Sequence, residues 1–253
     1  MKEPIWEGVY SEFKDVPVTG GGFGGGIWVK NALQKAAELR ELAMEEKTIP
    51  SVTRFHESLL PFLAAMVYSE KESVSILDFG GGIGLSYYQV KCGLPKPATL
   101  DFHVVDLEAV CIAGREFYSK ESSVSFHCSL DECSSLSFDI VHIGSSIQYI
   151  EDWKGTLKSL CAMQADYIML TNIPAGDVPT FATAQNYYGS KIASWFLNAR
   201  DIIDVMKSYG FVLSFKSTYD LKILGVVQPY PQENFPEQYR MGYPCSICFR
   251  RER

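Results

Sequence analysis

Residues 74 to 88 constrain what this chain can fold into more than any other stretch. Val74, Ile76 and Leu77 form the short apolar run that a buried parallel strand needs, and Asp78 ends it. A glycine turn follows, Gly80-x-Gly82-x-Gly84, and Leu85 to Cys92 reads as a helix that stops at Gly93. Strand, glycine turn and helix make the first unit of a nucleotide-binding α/β fold. Glycines let the backbone bend tightly and let a ligand approach with no Cβ in the way. The helix N-terminus adds free N–H groups and a favourable dipole. The dinucleotide pattern G-x-G-x-x-G fails in both frames, because its third glycine falls on Leu85 or on Tyr87. No Lys-Ser/Thr follows the glycines, so the turn is not a phosphate-binding P-loop. An acid two residues before G-x-G-x-G suits a cationic ligand with an amino group and no phosphates.

Composition narrows the class. The chain has 253 residues, 47% of them hydrophobic, which is enough for one α/β domain with an appendage and a sizeable core. A formal charge of -7 leaves no electrostatic footprint for unspecific nucleic-acid binding. The start, Met1-Lys-Glu-Pro-Ile-Trp6, does not read as a signal peptide, and no apolar run is long enough to span a bilayer. The expectation is a cytoplasmic protein without membrane insertion. Seven cysteines, an odd count, argue for reduced thiols. Cys245-x-x-Cys248 looks like a redox or metal pair but sits in a strand-like run, where residues three apart face opposite ways. It is read as two small core residues, and no metal is expected.

Taken in order, residues 1 to 26 read as irregular structure with aromatics. Gly20-x-Gly22-x-x-Gly25 matches the dinucleotide pattern formally, but Pro17 spoils the strand before it. The run is expected to be a mobile loop near the site. Ile27 to Lys47 is helical, Pro50 and Ser51 break the chain, and a second amphipathic helix runs from Phe55 to Met66 with Pro61 inside it. His56 on that helix is read as a surface or packing residue. Phe102 to Asp106 is the second strand of the nucleotide-binding unit. Its terminal acid lies 28 residues after Asp78 and can accept both hydroxyls of a ribose. Glu108 is the rival. Leu107 to Tyr118 is a helix, Val124 to His127 a third strand, Phe138 to Gly144 a fourth, and Tyr167 to Asn172 a fifth. Pro174 to Asn198 is expected to be a long polar-aromatic loop over the strand ends. Asp201 to Tyr209 is a helix closed by Gly210, and two more strands follow at Phe211 to Thr218 and Cys245 to Arg250. The stretch between these strands reads as a second loop over the cleft.

These elements together resemble the class I S-adenosylmethionine (SAM) dependent methyltransferases over about residues 52 to 253. Trp6-Glu-Gly-Val-Tyr10, Val104-Val-Asp106, Ser146-Ile-Gln-Tyr149 and the Gln185 segment further resemble a narrower group of bacterial methyltransferases encoded among surface-polysaccharide genes. The resemblance implies a Rossmann-like, seven-stranded, mostly parallel sheet with helices on both faces. It divides the chain into an N-terminal loop and helical cap, 1–51, and a SAM-binding domain, 52–253. It also implies roles for single residues. Asp78 would serve the SAM amino group, and Phe79, Gly80, Gly82 and Gly84 would admit its methionine part. Asp106 would hold the ribose and Leu107 the adenine, with Ser129 and Leu130 beside it. Gly144 and Ser145 would lie next to the sulfonium.

The acceptor is expected to be a small polar molecule, a sugar or polysaccharide precursor among the candidates. Alternation puts His142 on the same strand face as Gly144, which makes it either a candidate base or a core histidine hydrogen-bonded to backbone, with Tyr149 as a second catalytic candidate. Gln148, Asn172, Gln185 and Tyr188 are candidate substrate contacts. The N-terminal helices either cap the cofactor or pair with a second subunit in a homodimer. Competing readings are a non-catalytic SAM-binding scaffold, an NAD-binding oxidoreductase, and an aminopropyl transferase, for which no acidic cluster suited to a polyamine is seen.

Overall fold

The computed structural model describes residues 4–44, 58–187, 189–218, 221–223, 226–228 and 230–252. Pro50, Ser51, Phe55, His56 and Tyr188, and with them the expected division at 51/52, lie outside the described residues. The first half of the chain forms β1 (Trp6–Tyr10), α1 (Gly26–Met44), α2 (Leu59–Lys71), β2 (Ser73–Phe79), α3 (Leu85–Gly93), β3 (Thr99–Val105), α4 (Glu108–Phe117) and β4 (Val124–His127). The second half forms β5 (Ile140–Gly144), α5 (Trp153–Ala162), β6 (Tyr167–Ile173), β7 (Ala175–Gly176), β8 (Phe181–Tyr187) and β9 (Ser190–Asn198). It ends with α6 (Ala199–Ser208), β10 (Phe211–Thr218), β11 (Leu221–Ile223), β12 (Val226–Gln228) and β13 (Cys245–Arg251).

Seven strands make the main sheet in the order β10-β13-β6-β5-β2-β3-β4. Pairing is parallel from β6 through β4, and β13 runs antiparallel to both β6 and β10. This is the Rossmann-like, mostly parallel arrangement that the motif order implies. The near-continuous apolar strands have the physical reason expected of them: both faces are covered. Leu77, Val141 and Leu170 pack on one side with Leu157 and Leu160 of α5 and Ile202 of α6. Ile76, Ile140 and Met169 pack on the other with Leu63 of α2, Tyr87 of α3 and Val110 of α4. Asp152 caps α5 by accepting from Gly155 N at 2.9 Å, as the acids before Trp153 suggest. Pro61 falls in the first turn of α2, where its missing N–H has no helical partner to lose.

Two expectations fail here. The polar-aromatic stretch after β6 is not a loop, and Trp6 to Tyr10 within the N-terminal stretch is not irregular. Both belong to a second sheet of order β1-β8-β9-β7. β8 and β9 form a hairpin through Gly189, whose φ is +73°, and β1 pairs antiparallel with β8. Beside Phe181, Trp195 and Phe196 the hairpin buries Ala182, Thr183, Ala184 and Ser194, so it lacks the β-branched run that marks a strand in sequence. Trp6 meets Phe196 edge-on at 5.1 Å between centroids, and Phe181, Tyr230 and Phe235 complete this smaller core. The glycine run ahead of α1 is a short turn at Gly22–Gly24, tied down where Gly22 N donates to Ser190 Oγ at 3.2 Å.

Cys245 and Cys248 do face opposite sides of β13, one in each core, and burial pushes both thiols up to about 12. Thiolate, the reactive form, is therefore scarce at neutral pH. Iodoacetamide at neutral pH is expected to label Cys92 and Cys128, which are exposed, and to spare the five buried cysteines until the chain is unfolded. Peptide mass spectrometry before and after denaturation reads this directly.

Candidate active site

The glycine turn takes up the backbone that its sequence demands. Gly80, Gly82 and Gly84 have φ of +67°, +60° and +70°, a region L side chains rarely enter. Gly80 N donates to Val105 O at 2.8 Å, which joins the turn to the end of β3. There Asp106 closes the arrangement: its Oδ2 accepts from Gly82 N at 2.8 Å and its Oδ1 from Leu107 N at 2.7 Å. Burial raises the Asp106 carboxyl pKa, and the two backbone N–H groups oppose that rise. Each carboxylate oxygen keeps a further lone pair, so the group can still accept from two neighbouring hydroxyls. This is the acid the sequence singles out over Glu108.

Asp78 behaves differently from expectation. It is fully buried at the end of β2 and does not line the cavity described below. His142 Nδ1 lies 2.7 Å from Asp78 Oδ1, and His142 Nε2 lies 2.8 Å from Thr171 Oγ1. Asp78 Oδ2 has no hydrogen-bond partner and sits under the turn, 2.6 Å from where a Cβ on Gly81 would lie. His142 therefore fails as a base. Both of its nitrogens are engaged, it is 5% exposed, and it too is absent from the cavity wall. It holds Asp78, and Asp78 underlies the turn. His142→Ala is expected to leave that carboxylate buried and alone, at a cost of about 3 kcal/mol. Thermal and urea unfolding would measure this, with His142→Asn restoring part of the loss by donating to Asp78.

A cavity of about 1680 Å³ opens at the carboxyl ends of the main-sheet strands. Phe79, Gly80, Asp106 and Leu107 line it after β2 and β3. Ser129 and Leu130 line it after β4, and Gly144 and Ser145 at the end of β5. Gly82 and Gly84 do not reach the wall; the first serves Asp106, and the second opens α3. Leu107 is 53% exposed, an apolar side chain left open in the wall where a flat ring could lie against it. Of the expected substrate contacts, Gln148, Asn172 and Gln185 line the cavity together with Tyr149. Tyr149 donates to Gln185 Oε1 at 2.8 Å, and burial pushes its phenol pKa up. At neutral pH it is a hydrogen-bond donor and not a base. Ser145 and Asn172, at the ends of β5 and β6, have φ of +53° and +57°. Such strain in non-glycine residues gathers at functional sites.

The sequence sets the stretches of Phe23, Tyr187 and Tyr230 near the cleft, but it does not single out these side chains, nor Trp6 and Trp28, as an aromatic wall of this cavity. Trp6 of β1, Phe23 of the glycine run, Trp28 of α1, Tyr187 of β8 and Tyr230 all line it. Phe23 stacks edge-on against Tyr149 at 4.6 Å between centroids. A large aromatic inside a run of six glycines was the available signal, since nothing in a mere linker needs one. No group of three His, Cys, Asp or Glu among the described residues is placed to hold a metal ion.

No protein-family model and no curated protein matches the sequence. Solved structures match the fold. The 1,6-didemethyltoxoflavin-N1-methyltransferase of Burkholderia thailandensis aligns with a TM-score of 0.51 at 12% identity, over 94% of this chain and 93% of its own. A SAM-dependent methyltransferase of Methanosarcina mazei aligns at 0.50 and 12%, over 72% and 93%. SpnF, a 4+2 cyclase, aligns at 0.50 and 13%, over 76% and 80%. The chain thus has the class I SAM-dependent methyltransferase fold. That a cyclase shares it is a reminder that this fold does not fix the reaction. No helix among the described residues is long and apolar enough to cross a membrane.

Proposed function

We propose that the protein is a SAM-dependent methyltransferase acting on a small molecule. The observation that carries this is Asp106, held by the N–H groups of Gly82 and Leu107 at the lip of a cavity, with its remaining lone pairs free for a diol. The Burkholderia structure, which holds S-adenosylhomocysteine, supports the reading. When bound, SAM would supply an activated methyl group on a sulfonium. Asp106 would accept from the ribose hydroxyls, and Leu107 and Leu130 would flank the adenine. Gly80 would let the methionine part approach the backbone, and Gly144 and Ser145 would border the reacting centre. The protein's part is mainly placement, since orienting two reactants can supply several kcal/mol of the barrier. Residues 52–253 are read as the cofactor domain. Residues 1–51 are read as the loop and helical cap, whose Phe23 and Trp28 wall the cavity.

Calorimetric titration with S-adenosylhomocysteine, with NAD as control, tests this. Micromolar binding of the first alone is expected. Binding of NAD alone would favour an oxidoreductase, and binding of neither would favour a scaffold.

A further inference from the structure

The cavity has two halves of different chemistry. Its carboxylates, Asp106, Glu108 and Asp131, all stand after β3 and β4. The half that follows β5 and β6 is walled by Trp6, Gln148, Tyr149, Asn172, Gln185 and Tyr230, none of them charged. No lysine, arginine or histidine among the described residues lines the cavity anywhere. Three buried polar atoms on this wall lack hydrogen-bond partners: Trp6 Nε1, Gln148 Oε1 and Asn172 Oδ1. The first can only donate, and the other two can only accept. Trp6 and Gln148 are 4% and 3% exposed, so bulk water does not serve them.

We infer that the methyl acceptor is a neutral, planar aromatic or heteroaromatic molecule, methylated at an ionisable ring O–H or N–H. This rests on the methyltransferase reading above. Three features of the wall lead to it. Aromatic side chains around a cavity favour a flat apolar body. The unpaired atoms ask the ligand for two O–H or N–H donors and one acceptor. A phosphate or an ammonium buried here would find no counter-charge and pay the full desolvation penalty. The wall also lacks a base, because Tyr149 keeps its proton and amides cannot take one. An aliphatic sugar hydroxyl needs such a base, whereas a phenol or a ring N–H gives up its proton to water far more readily. In the transfer the new O–C or N–C bond forms as the S–C bond breaks. The electron pair stays on sulfur, which becomes a neutral thioether, and the acceptor's proton leaves to solvent.

The test uses the full chain saturated with S-adenosylhomocysteine. Calorimetry then follows two neutral probes, 6-hydroxyquinolin-2-one and naringenin, and two charged ones, UDP-glucose and kanamycin. The neutral probes are expected to bind at tens of micromolar or tighter, and the charged ones about 100-fold more weakly. Trp6→Phe and Gln148→Met should each weaken the neutral probes by about three- to tenfold and leave S-adenosylhomocysteine binding unchanged. Tighter binding of UDP-glucose or kanamycin overturns the inference. So does an absence of binding by both neutral probes, or indifference of their affinity to both substitutions. Failure of S-adenosylhomocysteine to bind, seen before any probe is added, overturns the methyltransferase reading itself.

Discussion

Asp106→Ala is expected to cost at least about 100-fold in affinity for S-adenosylhomocysteine, the largest loss of any single substitution at the cofactor end. Two charge-assisted hydrogen bonds to ribose hydroxyls would disappear, each worth about 1.5–3 kcal/mol. The same change strips the acceptor from Gly82 N and Leu107 N, so the turn also loses its anchor to β3. Asp106→Asn keeps one acceptor oxygen and should lose less. Calorimetry gives the affinities, and thermal melts of both variants separate lost binding from lost folding. Affinity that survives the alanine change would remove Asp106 from the ribose role. The pH dependence has a definite sign. Burial holds this carboxyl above the usual aspartate range, and protonation removes its acceptors. Binding should therefore weaken on acidification at a higher pH than an exposed aspartate would dictate.

Gly80→Ala is expected to be the most damaging single-methyl change in the site, at about 4 kcal/mol of stability. Two costs combine. The residue would be forced into φ of +67°, strain worth about 1–3 kcal/mol. Its Cβ would fall 2.3 Å from Ser146 Cβ and 2.7 Å from Ser146 Oγ, overpacking worth about another 1–3 kcal/mol. Ser146 cannot easily give way, because its hydroxyl donates to Phe79 O at 2.8 Å. Gly82→Ala offers the comparison. Its φ is similar, but the nearest obstacle is the Trp28 ring edge at 3.1 Å. Urea unfolding should rank the two, with Gly82→Ala milder. A loss below about 1 kcal/mol for Gly80→Ala would mean the turn has slack the static contacts do not show.

What the sequence disclosed divides along a physical line. The strand, turn and helix around Asp78, the acid at Asp106 and the near-continuous apolar strands of the main sheet are local patterns, and each stands where its pattern says. The two strands β10 and β13 were legible too, though not their antiparallel sense, as was the core role of Cys245 and Cys248. The second sheet was not. Its hairpin mixes buried alanines, Thr183 and Ser194 with its own Phe181, Trp195 and Phe196 and is poor in β-branched residues, and β1 has a glycine at its centre, so both read weakly as strands. Whether His142 is a base or a core histidine stays open in the sequence for a related reason. Alternation gives the face of a strand, but not the two partners, Asp78 and Thr171, that occupy both ring nitrogens. The stretches of Phe23, Tyr187 and Tyr230 could be set near the cleft from sequence, but their joining with Trp6 and Trp28 into one aromatic wall could not, because these residues come from distant stretches and meet only in the folded chain.

The pairing of β1 with β8 has a consequence in time. Thr183 Oγ1 donates to Glu7 O across 176 residues of chain. Closing so long a loop costs entropy before any contact repays it, whereas β2, α3 and β3 lie side by side in sequence. The parallel core with its glycine turn is thus expected to assemble first. Trp6 arrives last, and the aromatic chamber is finished only when β1 closes onto β8.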